Sequence, residues 1–227
     1  MTSLPAAFAR AIGQLSDPAI LRVLAKSIAV TLAIFLMLGA GLWFGLYRAL
    51  IDQGVAYSAE LGTIVAVLVT IIGGWLLFRL VALAVLQFFA DEVVRAVELQ
   101  HYPAAASSAR TLDWHEELRN SLRATGRVLL VNLIALPFAI ALLITGVGTA
   151  ILFWAVNGWL LGRELQDMVW LRHVSAAGEQ PPIGAGTRFA LGGIVAILLT
   201  IPFVNLLAPV IGAAAATHLV HRPKKAL

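Results

Sequence analysis

The chain has 227 residues, of which 60% are hydrophobic and only 12% charged, whereas an ordinary soluble domain carries about 25% charged residues. A soluble chain of this size could not bury so much apolar surface in one core, so the composition indicates a membrane protein, for which we predict an all-α fold. The length suggests a single membrane domain over residues 1–227, or at most two domains. The net charge is +4, but the basic residues form no stripe with interleaved aromatic residues, which argues against nucleic acid as a partner. Cysteine is absent, which excludes disulfides and thiolate metal sites.

The N-terminal residues 1–26 read as an amphipathic helix that lies at the membrane interface. The apolar positions that share one face of this helix are Leu4, Phe8, Ile12 and Leu15. The run Ser16-Asp17-Pro18 then has the pattern of a new helix start, with Asp17 as the cap and Pro18 in the first turn.

Two apolar segments predict membrane-spanning helices. Ser27–Tyr47 is 21 residues without a charge, which predicts a membrane helix over 27–48, because about 20 helical residues cross the hydrocarbon core. The run 61–90 is interrupted only by Arg79 and contains no proline, so one helix is expected over 59–100. Such a helix would be ~60 Å long and would project beyond the bilayer. Arg79 is either a pore charge or a side chain that snorkels or forms a structural ion pair.

Two further uncharged stretches have lengths that fit neither one span nor two. Val128–Gly162 has 35 residues and Phe189–His221 has 33, and both contain helix-breaking residues near the middle. Those residues are Pro137, Gly146 and Gly148 in the first stretch, and Pro202, Asn205 and Pro209 in the second. We therefore predict two re-entrant, partly inserted helical hairpins over 127–163 and 188–222. Two short, tilted spans in each stretch are the alternative.

The distribution of basic residues predicts the orientation of the chain. Fourteen of the 16 lysines and arginines lie in four segments: Met1–Lys26, Asp91–Arg127, Arg163–Arg188 and Arg222–Leu227. Hairpins and full spans both place these segments on one side of the membrane, which the positive-inside rule makes cytoplasmic. The segments 101–126 and 164–187 are therefore expected to be cytoplasmic.

The helix start at Pro18 is a candidate anion site. The backbone N–H groups of Ala19, Ile20 and Leu21 lie at the positive end of the helix, with the Arg22 guanidinium one turn along. Amides and a guanidinium in this arrangement can hold an oxyanion. The alternative is an ordinary capped helix in which Arg22 contacts lipid phosphates.

Other polar residues predict no further chemistry. Asp91, Glu92, Arg95 and Glu98 recur at helical spacing and are expected to form ion pairs on a solvated helix face. His218 and His221 are spaced to share a metal, but no third ligand stands beside them, so no metal site is predicted. No nucleophile–base pair or cofactor motif occurs, so the chain is expected to be no enzyme and to carry no cofactor.

Several motifs resemble the family of CysZ-type sulfate transporters and the broader etoposide-induced-protein family. The segment 201–210 followed by Gly212-Ala213-Ala214-Ala215-Ala216-Thr217 resembles that family's C-terminal hairpin. The other matching segments are Gly13-Gln14-Leu15-Ser16-Asp17-Pro18, Asp91-Glu92 through Glu98 with Tyr102-Pro103, and Asn157-Gly158-Trp159 with Gly162-Arg163-Glu164.

This resemblance implies two long spanning helices and two inserted hairpins, assembled as a homo-oligomer in a bacterial inner membrane. It implies passive passage of sulfate or a related small anion. A Gly-Leu-Arg-Arg-like turn binds sulfate in that family, and it aligns with Ala19-Ile20-Leu21-Arg22, so only Arg22 carries over. A non-transporting membrane scaffold with the same fold is the alternative function.

Overall fold

The computed structural model describes residues 3–52, 89–174, 179–201 and 204–221. The described residues form helices and contain no strand, which confirms the all-α prediction for this part of the chain. They divide into two compact units, one made of Met1–Ile20 with Ala90–Leu227 (unit 1) and one made of Leu21–Phe89 (unit 2). Arg79, the candidate pore charge, lies outside the described residues, and so does most of the predicted helix 59–100.

Eight helices follow one another in the described part of the chain. They are α1 (Leu4–Gly13), α2 (Pro18–Asp52), α3 (residues 89–101), α4 (Pro103–Ser108), α5 (Trp114–Leu142), α6 (Val147–Trp170), α7 (Ala185–Thr200) and α8 (Val204–Val220). Single 3-10 turns at Gln14–Ser16 and Leu143–Thr145 precede α2 and follow α5.

The helix α2 begins at Pro18, where the sequence predicted a helix start, and it continues without a break to Asp52. The predicted span 27–48 is therefore the middle of a longer helix, because no residue after Pro18 interrupts its hydrogen bonding. Within unit 2 the Lys26 ammonium lies 4.8 Å from the ring centroid of Phe89. Lys26 and Phe89 therefore lie close together, although many residues separate them along the chain.

The helix α8 is the centre of unit 1. Every residue from Ala208 to Val220 is buried, and α8 contacts α1, α6 and α7. Its alanines and Gly212 allow this enclosure, because a Cβ at Gly212 would come within 3.0 Å of Val195 on α7 and 3.2 Å of Leu165 on α6. Small side chains let helices approach closely, which is the usual way of packing helices in a membrane.

Glycines also set the spacing of α6 and α7. A Cβ at Gly192 on α7 would overlap the carbonyl oxygen of Gly158 and the backbone of Gly162, both on α6. A Cβ at Gly162 would in turn overlap the carbonyl oxygen of Arg188. Gly158 and Gly162 form a Gly-x-x-x-Gly pair, so the backbones of α6 and α7 are in direct contact.

The turns of the two predicted hairpins lie beside only some of the expected breakers. The first turn is at Gly146, whose φ of 61° is readily adopted by glycine alone, and it joins α5 to α6. Pro137 lies inside α5 and Pro209 inside α8, so the prediction that these two prolines break their helices was wrong. Asn205 lies in the first turn of α8, next to the second turn of the chain. Pro202 falls outside the described residues. A proline inside a helix removes one hydrogen bond but does not by itself end the helix when neighbouring helices support it.

Among the described residues, one helical stretch is long and apolar enough to cross a membrane. It runs from Trp114 to Thr145 through α5, with a mean hydropathy of 2.6 in its most apolar window, none of which is buried. The helices α7 and α8 are apolar but shorter. Membrane insertion depth and the re-entrant form of the hairpins stay predictions.

The helix α1 packs differently from the sequence prediction. Its buried residues are Ala7, Phe8 and Ala11, and it contacts α8, whereas Ile12 is 55% exposed. Of the predicted apolar face only Phe8 is buried, because the small alanines fit more closely against the alanine-rich surface of α8 than the larger side chains do. Contact of Ile12 with a membrane surface stays a prediction.

Candidate functional sites

The predicted anion site lies in the first turn of α2. Arg22 and Ala19 are exposed, Leu21 is 49% exposed, and Ile20 is buried. Helix geometry leaves the first amides of α2 without acceptors inside that helix. The role of these four residues in binding an anion stays a prediction.

A cleft in unit 1 is lined by a group of arginines that the sequence analysis did not combine into a site. The cleft has a volume of about 1010 Å³ and is lined by α3, α5, α6 and the segments flanking them. The arginines that line it are Arg95, Arg110, Arg123, Arg127, Arg163 and Arg172. The acidic residues that line it are Asp91, Glu117, Glu164, Asp167 and Glu179. Positive charges therefore outnumber negative charges by one in the lining.

Within the cleft, one carboxylate is shared between two guanidiniums. Asp167 Oδ2 lies 3.5 Å from Arg127 Nη1 and 3.6 Å from Arg163 Nε. Arg163, at 41% exposure, and Arg127, at 25%, are partly solvated, so each ion pair is screened and contributes little to stability. Glu164 of α6 also interacts with Arg127 and Asp167, so two guanidiniums and two carboxyl groups meet at the wall formed by α5 and α6.

A second group of polar residues is buried in unit 1 around Glu98 of α3. Oε1 of Glu98 lies 2.8 Å from Nε2 of His173 and 3.0 Å from Nε2 of His221. Oε2 of Glu98 lies 3.4 Å from Nη1 of Arg172. The Glu98 side chain is fully buried, while the other three are between 10% and 15% exposed. We call Glu98, His173 and His221 the Glu98 triad.

The surroundings of Glu98 favour its charged form. The uncharged run of the predicted spanning helix ends at Ala90, so Glu98 lies outside the part of the chain that is expected to cross the membrane. Burial acts to raise the pKa of Glu98, but hydrogen bonds from His221 and His173 and the charge of Arg172 outweigh it. The pKa of Glu98 is therefore lowered from its ordinary value of 4.5, and the carboxylate stays ionised inside the protein.

A chain of hydrogen bonds beside the triad links the 3-10 turn after α1 to the end of α3 and to α8. Tyr102 Oη lies 2.9 Å from Nδ1 of His218, whose Nε2 lies 3.2 Å from Oε1 of Gln14. Nε2 of Gln14 lies 3.0 Å from Nε2 of His101. With the amide oriented in this way, the His218 Nε2–H donates to Gln14, the Tyr102 hydroxyl donates to Nδ1, and Gln14 donates to His101. Gln14 and Tyr102 belong to the motifs that carry the family resemblance, and this network gives both a physical role.

The structure corrects the sequence interpretation of these polar residues. The prediction of a solvated helix face was wrong for Glu98, because Glu98 shares the buried face of α3 with Val94 and Val97. His218 and His221 contact different partners, and the imidazole that approaches His221 belongs to His173. His173 lies in the turn after α6, and no sequence motif marks it.

One buried side chain has no hydrogen-bond partner among the described residues. Gln166 on α6 is fully buried, and neither its Nε2 nor its Oε1 makes a hydrogen bond. A buried amide whose two polar atoms lack hydrogen-bond partners costs free energy, so Gln166 is a residue at which an apolar substitution can be tested.

Comparison with known proteins identifies the family of the chain. The sequence profile described as sulfate transporter CysZ/Etoposide-induced protein 2.4 matches residues 7–209. The chain belongs to this family. No individual curated protein matches the chain. The family is a transporter family of membrane proteins and not an enzyme family, which agrees with the resemblance identified in the sequence. The matched range includes Arg22, Glu98 and His173 but ends before His218 and His221.

Proposed function

We propose that this protein is a CysZ-like permease or channel that lets sulfate or a related small anion cross a bacterial inner membrane passively. The observation that carries the proposal is the family match over residues 7–209. Most charged segments would face the cytoplasm, and a homo-oligomer would form the pore. The lipid bilayer and the anion are its partners, and no cofactor takes part.

The central physical problem for such a protein is the desolvation of a dianion. Burying an ion without compensating partners is very unfavourable, so the path must offer fixed donors and positive charge. The first-turn amides of Ala19, Ile20 and Leu21, together with Arg22, would supply both at one point. Arg22 is exposed, as a residue that meets a solvated ion must be.

The arginine-lined cleft of unit 1 supports the proposal by a separate argument. Its lining carries six arginines and five acidic residues, and Arg127 and Arg163 both contact Asp167. Positive potential in a concave surface raises the local concentration of anions. We propose that Arg123, Arg127 and Arg163 attract the anion at the charged side of the protein. Arg79 would add positive potential if it lies along the path.

One observation favours the alternative of a non-transporting scaffold. Ala19 and Leu21 stand where the Gly-Leu-Arg-Arg-like turn of the family has its glycine and its first arginine. The loss of one guanidinium reduces the charge available to a dianion. A protein that kept the fold but lost the site would tolerate any change at Arg22.

Uptake of radiolabelled sulfate into proteoliposomes tests the site. Wild type would be compared with Arg22→Ala and with Arg119→Ala, since Arg119 is an exposed arginine of α5 outside the cleft lining. We expect Arg22→Ala to reduce uptake at least tenfold and Arg119→Ala to leave it unchanged. Equal uptake by all three proteins would remove Arg22 from the mechanism, and no uptake by folded wild type would favour the scaffold.

A further inference from the structure

We infer that the Glu98 triad is a binding site for a divalent transition-metal ion such as Zn²⁺. The inference is independent of the proposed transport function, because it rests on the geometry of Glu98, His173 and His221. Two imidazoles and one carboxylate are a common ligand set of zinc and of neighbouring transition metals.

The distances in the triad suit a single ion. The three potential ligand atoms lie within 4.8 Å of one another. Ligands bound to tetrahedral zinc at ordinary bond lengths are separated by about 3.3 Å. Oε1 of Glu98 lies 2.8 and 3.0 Å from the two Nε2 atoms, which lie within 4.8 Å of each other. An ion could therefore bind once the two imidazoles move roughly 1.5 Å closer together, to the separation of zinc ligands. An ion would take the place of the two Nε2–H protons, and each neutral imidazole would bind it as the tautomer that carries its proton on Nδ1.

The surroundings of the triad hold the ligands in place. Glu98 belongs to α3, His173 to the turn after α6, and His221 to the residue after α8, so three separate segments fix the site. Arg172 pairs with Oε2 of Glu98 at 3.4 Å, which leaves Oε1 as the oxygen directed at both imidazoles. Partners of this kind orient ligating carboxylates in metal proteins, although the positive charge of Arg172 also weakens the attraction of a cation.

The ligand chemistry selects the class of ion. Mg²⁺ and Ca²⁺ prefer oxygen ligands, and Glu98 is the one residue of the triad that supplies oxygen. Imidazoles favour Zn²⁺, Co²⁺ and Ni²⁺. The small residual exposure of His173 and His221 gives an ion a route to the buried carboxylate. A bound ion would brace α3, α6 and α8 against one another at the charged end of unit 1.

Cobalt absorption provides the direct test. Purified, tag-free protein in detergent would be stripped with EDTA and titrated with Co²⁺, whose visible absorption is strong in four-coordinate sites and weak in water. Competition with Zn²⁺ would then give the zinc affinity. The variants are His221→Ala and Glu98→Gln, and the control is His115→Ala, since His115 is an exposed histidine outside the triad.

We expect wild type and His115→Ala to bind one Co²⁺ per chain with a four-coordinate spectrum, and Zn²⁺ to raise their unfolding temperature. His221→Ala and Glu98→Gln should bind at least tenfold more weakly and lose the spectrum. The inference is overturned if wild type shows no stoichiometric binding, or if both triad variants bind as tightly as wild type. Because the wild-type spectrum is itself decisive, a variant that fails to fold does not prevent the test.

Discussion

The carboxylate of Glu98 and the imidazole of His221 are 123 positions apart in the chain and meet at 3.0 Å. This contact joins α3 to the end of α8, the helix that forms the centre of unit 1. The same oxygen of Glu98 also contacts His173, so one buried anion connects three segments of the chain. Polar contacts therefore connect α3 to the ends of α6 and α8 around Glu98, whereas the helices α6, α7 and α8 pack against one another through small residues.

Removal of the Glu98 carboxylate should destabilise the protein strongly. Glu98→Ala removes the carboxylate that accepts hydrogen bonds from His173 and His221 and forms an ion pair with Arg172. Breaking a buried ion pair from one side costs about 3–5 kcal/mol. Gln100→Ala, at an exposed position of α3, is the control and should change stability by less than about 0.5 kcal/mol. Thermal unfolding in detergent measures both, and equal unfolding temperatures for the two variants would contradict the assigned role of Glu98.

The stabilising effect of Glu98 should disappear in acid. Because the pKa of Glu98 is lowered in the folded protein, its contribution is fully present above the ordinary value of 4.5 and is lost as the pH falls through the folded value. The difference in unfolding temperature between wild type and Glu98→Gln should therefore be largest near neutral pH and shrink below pH 4.5. A difference that grows on acidification would show that the carboxylate is not stabilised in the folded state.

The contact between α6 and α7 should not tolerate a methyl group. Gly192→Ala would push a Cβ into the backbone of Gly158 and Gly162, so the helices must separate at a cost of about 1–3 kcal/mol or more. Gly186→Ala lies on the same helix with open space around it and should be neutral or slightly stabilising. The fraction of each variant that purifies as a folded species, and its unfolding temperature, distinguish the two. If Gly192→Ala has the same unfolding temperature and folded fraction as Gly186→Ala, the backbones of α6 and α7 do not approach as closely as described.

Replacement of the unpaired amide of Gln166 should stabilise the protein. Gln166→Leu removes two buried polar atoms that have no partner among the described residues, which should raise stability by about 1–2 kcal/mol. Thermal unfolding would measure the gain, and sulfate uptake by the same variant would show whether the amide also serves transport. A lower unfolding temperature for Gln166→Leu would mean that the amide is hydrogen-bonded in the native protein, for example to water.

Much of the helical framework follows from local sequence. Pro18 at the start of α2 and Gly146 at the turn between α5 and α6 were predictable, because each residue has a backbone preference that acts within a few positions. Pro137 and Pro209 were misleading, because the same preference does not show whether the surrounding helices compensate for a lost hydrogen bond.

The polar sites depend on contacts that local sequence does not contain. The burial of Glu98 was predictable in part, because Val94 and Val97 place it on the apolar face of α3. Its partners were not, because His173 and His221 reach it only through the packing of α6 and α8. The arginine-lined cleft likewise assembles side chains from several segments, and their spacing along the chain gives no sign of it.

The most direct test of the proposed function is the time course of sulfate uptake into liposomes that contain folded, oriented wild-type protein and no energy source. We expect sulfate to enter faster than into protein-free liposomes and to stop when the inner and outer concentrations are equal, as in passive transport. Uptake no faster than into protein-free liposomes, from protein shown to be folded and inserted, would contradict the proposal.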